Sequence, residues 1–514
     1  MCVMDRTLVR RSAFFCGTLI VVQALSPGRL AAQAGAGVAE VRVESGAVSG
    51  VTRDGIESYR GLPYAAPPVG DRRWRAPELP LAWTGVRQAV DYGPSCPQQL
   101  PVRRVPFGSR AETTSEDCLT LNVWTPAVRA APLPVMVWLH GGGNDSGTGS
   151  QTYYDGSAFA RDGVVLVTLN YRLGLLGFFA HPALTREAGN AATGNFGLLD
   201  QIAALRWVHA NIAAFGGDPS NVTLAGESAG GNDVLALASS DEARGLFARG
   251  IVESAPGVAD RWPTLAEAEM QGTKLATSLG LPGERATAAQ LRALSADALA
   301  QVSGDQQIGP MVDGTLERAQ LATSLAGGAR VPLIIGSNAG DGSEVGTMDI
   351  GAALPQLTPD DVAFVRARYR ERGITDDAAM TEQLFGDAFF GVPARWVAAH
   401  AAQGTPAYLY RFDYVLSLLA SRRKTATHGS EIPFVFENWP LGISSETDRT
   451  VGAALHECWV TFARTGTPAC TPGSAWPPYD ARNPRLMVFD AQPSARDPGD
   501  GAVMDRLEPV LVPR

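Results

Sequence analysis

Short β-branched apolar runs alternate with segments of helical spacing along most of this chain, and no other feature limits its fold so strongly. VMVWL (Val135–Leu139), VVLVTL (Val164–Leu169), VTLAG (Val222–Gly226), GIVES (Gly250–Ser254), PLIIG (Pro332–Gly336) and AYLYRF (Ala407–Phe412) read as strands. Their apolar residues are consecutive, which suits strands covered on both faces. Helical patterns such as GLLDQIAALRWVHANIAAF (Gly197–Phe215) lie between them. The expectation is an α/β fold whose central, mostly parallel sheet is flanked by helices. Two helical blocks, Leu265–Val302 and Asp360–Gly404, interrupt the rhythm. They read as insertions, spanning about residues 258–330 and 345–405, that cover the active edge of one sheet domain.

The first 34 residues are of another kind. Arg6, Arg10 and Arg11 precede an apolar run from Ala13 to Leu25, and Ala32-Gln33-Ala34 offers a small-residue cleavage site. That is the layout of an export signal, too short for a comfortable membrane span, and the arginine pair in VRRSAFF also resembles a twin-arginine signal. An uncleaved anchor is the alternative. Beyond the leader no segment is long and apolar enough to cross a bilayer. The mature product is therefore expected in the periplasm or outside the cell. With Cys2 and Cys16 gone, Cys96, Cys118, Cys458 and Cys470 remain, an even number where disulfides persist. A Cys96–Cys118 pair would close a loop of about twenty residues. Whether Cys458 and Cys470 pair stays open, because Cys458 sits in a helical pattern. The net charge of -9 argues against nucleic acid, whose binders carry a positive footprint.

In TLAGESAGGND (Thr223–Asp233), Ser228 follows a strand, precedes a helical stretch and has a glycine two residues away on each side. A G-x-S-x-G in that context bends the chain sharply and exposes a nucleophilic hydroxyl, with the next amide, that of Ala229, facing the reacting carbonyl. A bare glycine-rich turn is the bland alternative. HGGGND (His140–Asp145) follows VMVWL directly, and its glycines let backbone amides approach a developing oxyanion. A dinucleotide loop is ruled out there, since no G-x-G-x-x-G fits and no helix opens behind it.

The base must come from few histidines. His400 and His456 lie in helical patterns and read as packing residues, whereas His428 stands in a loop, TATHGSEIPFVF. A carboxylate is needed to orient it, and SNAGDGSEVG offers Asp341 and Glu344. Asp341, between Gly340 and Gly342, lies in the tighter turn and is preferred.

At this point the chain strongly resembles the type-B carboxylesterases of the α/β-hydrolase superfamily, the group that includes para-nitrobenzyl esterases and cholinesterases. The resemblance runs from about Glu40 to Phe489 and rests on YRGLPYAAPPVGDRRW (Tyr59–Trp74), SEDCLTLNVW (Ser115–Trp124), HGGG (His140–Gly143) and NYRLGLLGF (Asn170–Phe178). GNFGLLDQIAALRWV (Gly194–Val208), FGGDPSNVTLAGESAGG (Phe215–Gly231), GPMVDG (Gly309–Gly314), HGSEIPFVF (His428–Phe436) and WVTFARTGTP (Trp459–Pro468) continue it in family order. It implies an α/β-hydrolase fold, a single catalytic domain over residues 35–514, Ser228 as nucleophile and His428 as base. It also implies amides of Gly142, Gly143 and Ala229 as oxyanion donors and a Cys96–Cys118 disulfide.

Two departures stand out. The family usually has glutamate where this chain has Asp341, so the acid loop must approach His428 more closely. Phe107 is the only aromatic residue in the Cys96–Cys118 loop, where cholinesterases hold a quaternary ammonium on tryptophan, so a choline-ester specialist is not expected. The expected activity is carboxylic ester hydrolysis through an acyl-enzyme, on a small-molecule ester, with no metal or organic cofactor. A catalytically silent binding module and a long-chain lipase are the rivals. Arg103 and Arg104, with Arg422, Arg423 and Lys424, would favour anionic esters if they lined the mouth, and are otherwise solvated surface.

Overall fold

Successive side chains of a strand point to opposite faces, and the consecutive apolar residues of the central strands enter two separate cores. Val135, Val137 and Leu139 pack in one buried layer with Val165, Val167, Leu224 and Ile335. Met136 and Trp138 pack in the other with Leu166, Ala225, Ile251 and Ile334. Helices Phe196–Asn211 and Ala229–Ser239 close the first layer through Leu198, Ile202, Leu205, Val234 and Leu235. Helix Glu446–Thr465 closes the second through Val451, Leu455, Trp459 and Phe462. With neither face reaching water, polar alternation has no place in these strands.

The computed structural model describes residues 37–99, 113–303, 308–344, 350, 354–470 and 475–512. The leader and Arg103, Arg104 and Phe107 lie outside the described residues. The strands are β1 (Gly37–Val43), β2 (Gly46–Arg53), β3 (Ile56–Pro63), β4 (Val86–Gln88), β5 (Thr120–Pro126), β6 (Leu133–Leu139) and β7 (Val165–Leu169). β8 (Gly217–Glu227), β9 (Arg249–Glu253), β10 (Leu333–Asn338), β11 (Ala407–Phe412), β12 (Leu486–Phe489) and β13 (Ser494–Arg496) follow. They form one sheet in the order β1-β2-β3-β5-β7-β6-β8-β9-β10-β11-β12-β13, with β4 against β2. From β7 to β12 all neighbours run parallel. The pairs β1–β2, β2–β3, β3–β5, β5–β7 and β12–β13 are antiparallel, while β4 runs parallel to β2.

The six strands legible in the sequence are β6 to β11. The antiparallel arm β1 to β5 and the edge strands β12 and β13 escaped that reading. β4 is three exposed residues, and β2 and β3 carry polar residues among their apolar ones. Register brings the carboxyl ends of the central strands level, with Leu139 opposite Gly226, Glu227 opposite Glu253, and Gly336 opposite both Glu253 and Tyr410. The loops that follow these strands leave the sheet together, which is where open α/β sheets bind ligands.

Helices Leu265–Ser278, Ala288–Arg292 and Ala296–Ser303 lie between β9 and β10, and Pro359–Glu371, Asp377–Gly386 and Val392–Ala401 between β10 and β11. Cys96 is bonded to Cys118 and Cys458 to Cys470. Cys458 takes part from within helix Glu446–Thr465, so its helical pattern did not prevent pairing. Among the described residues no helix is long and apolar enough to cross a membrane.

Candidate active site

Strand β8 ends at Glu227 and helix Ala229–Ser239 begins two residues later, so Ser228 alone makes the turn. Its backbone is forced to φ 56° and ψ −124°. Positive φ in a non-glycine residue costs of order 1–3 kcal/mol and persists only when its surroundings impose it. Those surroundings are close backbones. A Cβ on Gly226 would lie 2.5 Å from the Gly230 carbonyl oxygen, and one on Gly230 would lie 2.3 Å from the Leu139 carbonyl oxygen. Both glycines flanking Ser228 are thus dictated by packing. The Ser228 amide donates to the Glu253 carbonyl at 2.8 Å, tying the elbow to β9.

The loop after β6 lies against this elbow. Gly142 and Gly143 have φ of 107° and 66°. A Cβ on Gly141 would come within 2.6 Å of Glu227 Oε2 and 3.0 Å of Ser228 Cβ. Gly143, Ser228 and Ala229 share the wall of one cavity of about 400 Å³. Leu175, Phe178, Phe179, Trp262, Leu275 and Ile308 make another part of that wall apolar, and Asn232, Asp260, Arg261 and Gln271 add polar groups. Gly142 lies one residue behind the lining. Six of these residues, Asp260, Arg261, Trp262, Gln271, Leu275 and Ile308, come from the segment between β9 and β10.

His428 sits between β11 and the short helix Ile432–Val435. Its Nδ1 lies 2.9 Å from Asp341 Oδ1, and its Nε2 lies 3.2 Å from Oε1 of Glu227, the neighbour of Ser228. Asp341 is fully buried, and its other oxygen accepts from the Asn338 amide at 2.7 Å. The acid loop and the histidine loop are stitched together by backbone: the Gly340 amide donates to the Ala426 carbonyl at 2.7 Å, and Gly340 bridges Thr427. A Cβ at Gly340 would meet Thr425 Oγ1 at 2.5 Å, so this approach needs glycine. The Asp341 carboxylate reaches the imidazole across these paired loops. Glu344 ends the turn Asp341–Glu344, and its side chain lies outside the described residues. Phe390 packs on the His428 ring at 4.9 Å between centroids.

Three other histidines, His140, His400 and His456, take structural places. His400 stacks on Trp396, and His456 donates from Nδ1 to the Val435 carbonyl at 2.7 Å. His140 is buried against Tyr171, and burial pushes its imidazole down to about 4. Arg422, Arg423 and Lys424 are exposed and line no part of the cavity, which fits solvated surface.

Three buried carboxylates next to the elbow were not singled out from the sequence. Glu227, Glu253 and Glu431 are all buried. Burial and the neighbouring Glu227 and Asp341 push Glu431 up to about 8 while Asn338 Nδ2 donates to it. Burial and the charge of Glu431 push Glu253 well above the usual carboxylate range, and Trp459 Nε1 donates to it at 2.7 Å. Their signal was present: VTLAGES and GIVES each place a glutamate at the end of an otherwise apolar strand, and HGSEIPF places one three residues past His428.

Comparison with known proteins gives the same picture from another direction. Residues 37–362 and 365–503 match the carboxylesterase family. The chain is 39% identical over 475 residues to the fumonisin B1 esterase of Sphingopyxis macrogoltabida, covering 87% of this chain and 86% of that one. It is 34% identical over 497 residues to the para-nitrobenzyl esterase of Bacillus subtilis, covering 91% and 98%. A solved PNB esterase structure superposes with a TM-score of 0.80 at 32% identity, over 91% of this chain and 99% of that one. A strained serine elbow, a glycine loop pressed against it and a match that spans nearly the whole described chain lead to one conclusion: the chain belongs to the carboxylesterase family and is a carboxylic ester hydrolase.

Proposed function

We propose that Ser228, His428 and Asp341 hydrolyse carboxylic esters by acyl transfer, with the amides of Gly142, Gly143 and Ala229 binding the oxyanion. His428 takes the Ser228 proton as the hydroxyl oxygen attacks the ester carbonyl. The tetrahedral oxyanion forms against the glycine loop and the first amide of helix Ala229–Ser239. His428 then protonates the departing alkoxide, and the alcohol leaves an acyl-serine. Water repeats the sequence, giving its proton to His428 and releasing the acid. Asp341 holds the tautomer with Nδ1–H, stabilises the imidazolium and leaves Nε2 to face the elbow. The observation that carries this reading is the 2.9 Å contact between His428 Nδ1 and the fully buried Asp341, with Nε2 turned to the residue beside Ser228.

The cavity suits a compact or amphipathic ester: one part rests on Phe178, Phe179 and Trp262 while polar substituents reach Asn232, Asp260 and Gln271. The two disulfides fit an oxidising compartment and so support export of the mature chain. Incubation with an organophosphate, followed by mass spectrometry, tests the nucleophile. One adduct on Ser228 with loss of nitrophenyl-ester hydrolysis is expected. An unlabelled Ser228 in folded protein would favour a binding module instead.

A further inference from the structure

The oxyanion site just proposed is assembled from two separate elements. Gly142 and Gly143 belong to the loop after β6, and Ala229 to the helix that follows Ser228. Their amides stabilise an oxyanion only if loop and helix are held at a set spacing, since displacement by about 1 Å costs a factor of about 100. Backbone hydrogen bonds within the loop do not set it: the Gly142 carbonyl accepts from the amides of Asp145 and Ser146, both in the loop itself.

One side-chain bridge does span the gap. Asn144 follows Gly143 directly, is buried, and has φ 57°, continuing the left-handed backbone of the two glycines. Its Nδ2 donates to Oδ1 of Asp233 at 3.1 Å. Asp233 is fully buried and lies in the same helix as Ala229, one turn further on. The other carboxylate oxygen accepts from Gln201 Nε2 at 2.5 Å, on helix Phe196–Asn211. The Asn144 carbonyl in turn accepts from the Gly174 amide at 2.7 Å, anchoring the far side of the loop. An ionised carboxylate accepts at both oxygens, so Asp233 takes both amide donors at once. A buried carboxylate is retained at a cost in desolvation, which these two hydrogen bonds offset.

We propose that Asp233 is a positioning residue for ester hydrolysis: through Asn144 it fixes the glycine loop against the helix of Ala229 and so sets the spacing of the oxyanion-binding amides. The inference rests on the esterase reading above. Asp233→Leu keeps the branched shape of the side chain and removes both acceptor oxygens, so the bond from Asn144 is lost; an asparagine would not ensure this, because Asn144 could turn its own Oδ1 to the new NH2. Asn144→Gly keeps the left-handed backbone and removes the bridge from the other side.

The test measures hydrolysis of nitrophenyl acetate by both single variants and the double variant. The pH is kept well above the value of about 7 to which burial pushes Asp233. Unfolding midpoints and the affinity of a trifluoromethyl ketone, which forms a tetrahedral oxyanion on serine, are measured on the same proteins. Each single variant is expected to lose about 10–100-fold in kcat with KM within about threefold, somewhat less than deletion of a whole oxyanion donor. Ketone affinity should fall by the same factor as kcat/KM, and the double variant should be no worse than the worse single one, because both break one contact. If Asp233→Leu does not fold, Asn144→Gly carries the same comparison. Unchanged kcat in folded variants, a loss confined to KM, or losses that multiply in the double variant would overturn the proposal. Failure of the esterase reading looks different: the wild type itself would neither turn over the ester nor bind the ketone.

Discussion

Replacing Asp341 by asparagine puts the relay under the most direct strain, and the outcome follows from two contacts. Asp341 Oδ2 accepts from the Asn338 amide at 2.7 Å, and Oδ1 faces His428 Nδ1 at 2.9 Å. A backbone N–H is a fixed donor, so the substituted carboxamide must turn its oxygen to Asn338. Its NH2 then faces Nδ1, which accepts only in the tautomer carrying its proton on Nε2. A protonated Nε2 takes no proton from Ser228, and the imidazolium also loses the charge that stabilised it. An asparagine in the equivalent role lowers kcat about 10⁴-fold elsewhere, so Asp341→Asn should lose about 10³–10⁴ in kcat. That corresponds to roughly 4–5 kcal/mol of transition-state stabilisation. KM should stay within a few-fold, since Asp341 is fully buried and touches no substrate. The assay is steady-state hydrolysis of nitrophenyl acetate beside organophosphate labelling of Ser228, with the unfolding midpoint as control. A folded variant that retains more than about a tenth of wild-type kcat would show that Asp341 does not orient the base.

Gly230→Ala places a methyl 2.3 Å from the Leu139 carbonyl oxygen and 2.8 Å from that of His140, both backbone atoms that cannot yield. It should lower the unfolding midpoint and abolish turnover together, checked by calorimetry and activity on one sample. Glu431 has its folded value raised to about 8, so the folded state holds a proton that the unfolded state has released above the ordinary carboxylate range. Stability should accordingly fall as pH rises from about 4.5 towards 8, and Glu431→Gln should flatten that slope in denaturant titrations. Joint replacement of Cys96 and Cys118 by serine opens a loop with a sequence separation of 22. In the chain-entropy model this should cost about 3 kcal/mol of stability, read as a shift in urea midpoint.

Local rules carried the reading of the sequence a long way. The six central strands were visible because burial on both faces leaves uninterrupted apolar runs, and the helical stretch expected after Ser228 is helix Ala229–Ser239. Ser228 was marked by flanking glycines, His428 by its loop, and Asp341 by the glycines on either side of it. Strands β1 to β5 were not legible, because short or partly polar strands owe their existence to neighbours far along the chain. Glu227 and Glu431 stood inside quoted motifs yet passed unremarked, since nothing local says that a glutamate is buried.

The order of residues alone settled which backbone had to bend and which had to lie flat, because glycine, proline and β-branched side chains act on their own φ and ψ. Proximity between distant segments was another matter. That Gly340 meets Ala426, that an aspartate rather than a glutamate reaches His428, and that Asn144 joins Asp233 across the elbow are products of sheet register and core packing. Hydrogen bonds and carboxylate charges act over a few ångströms in space, and only the folded chain determines which residues share that space.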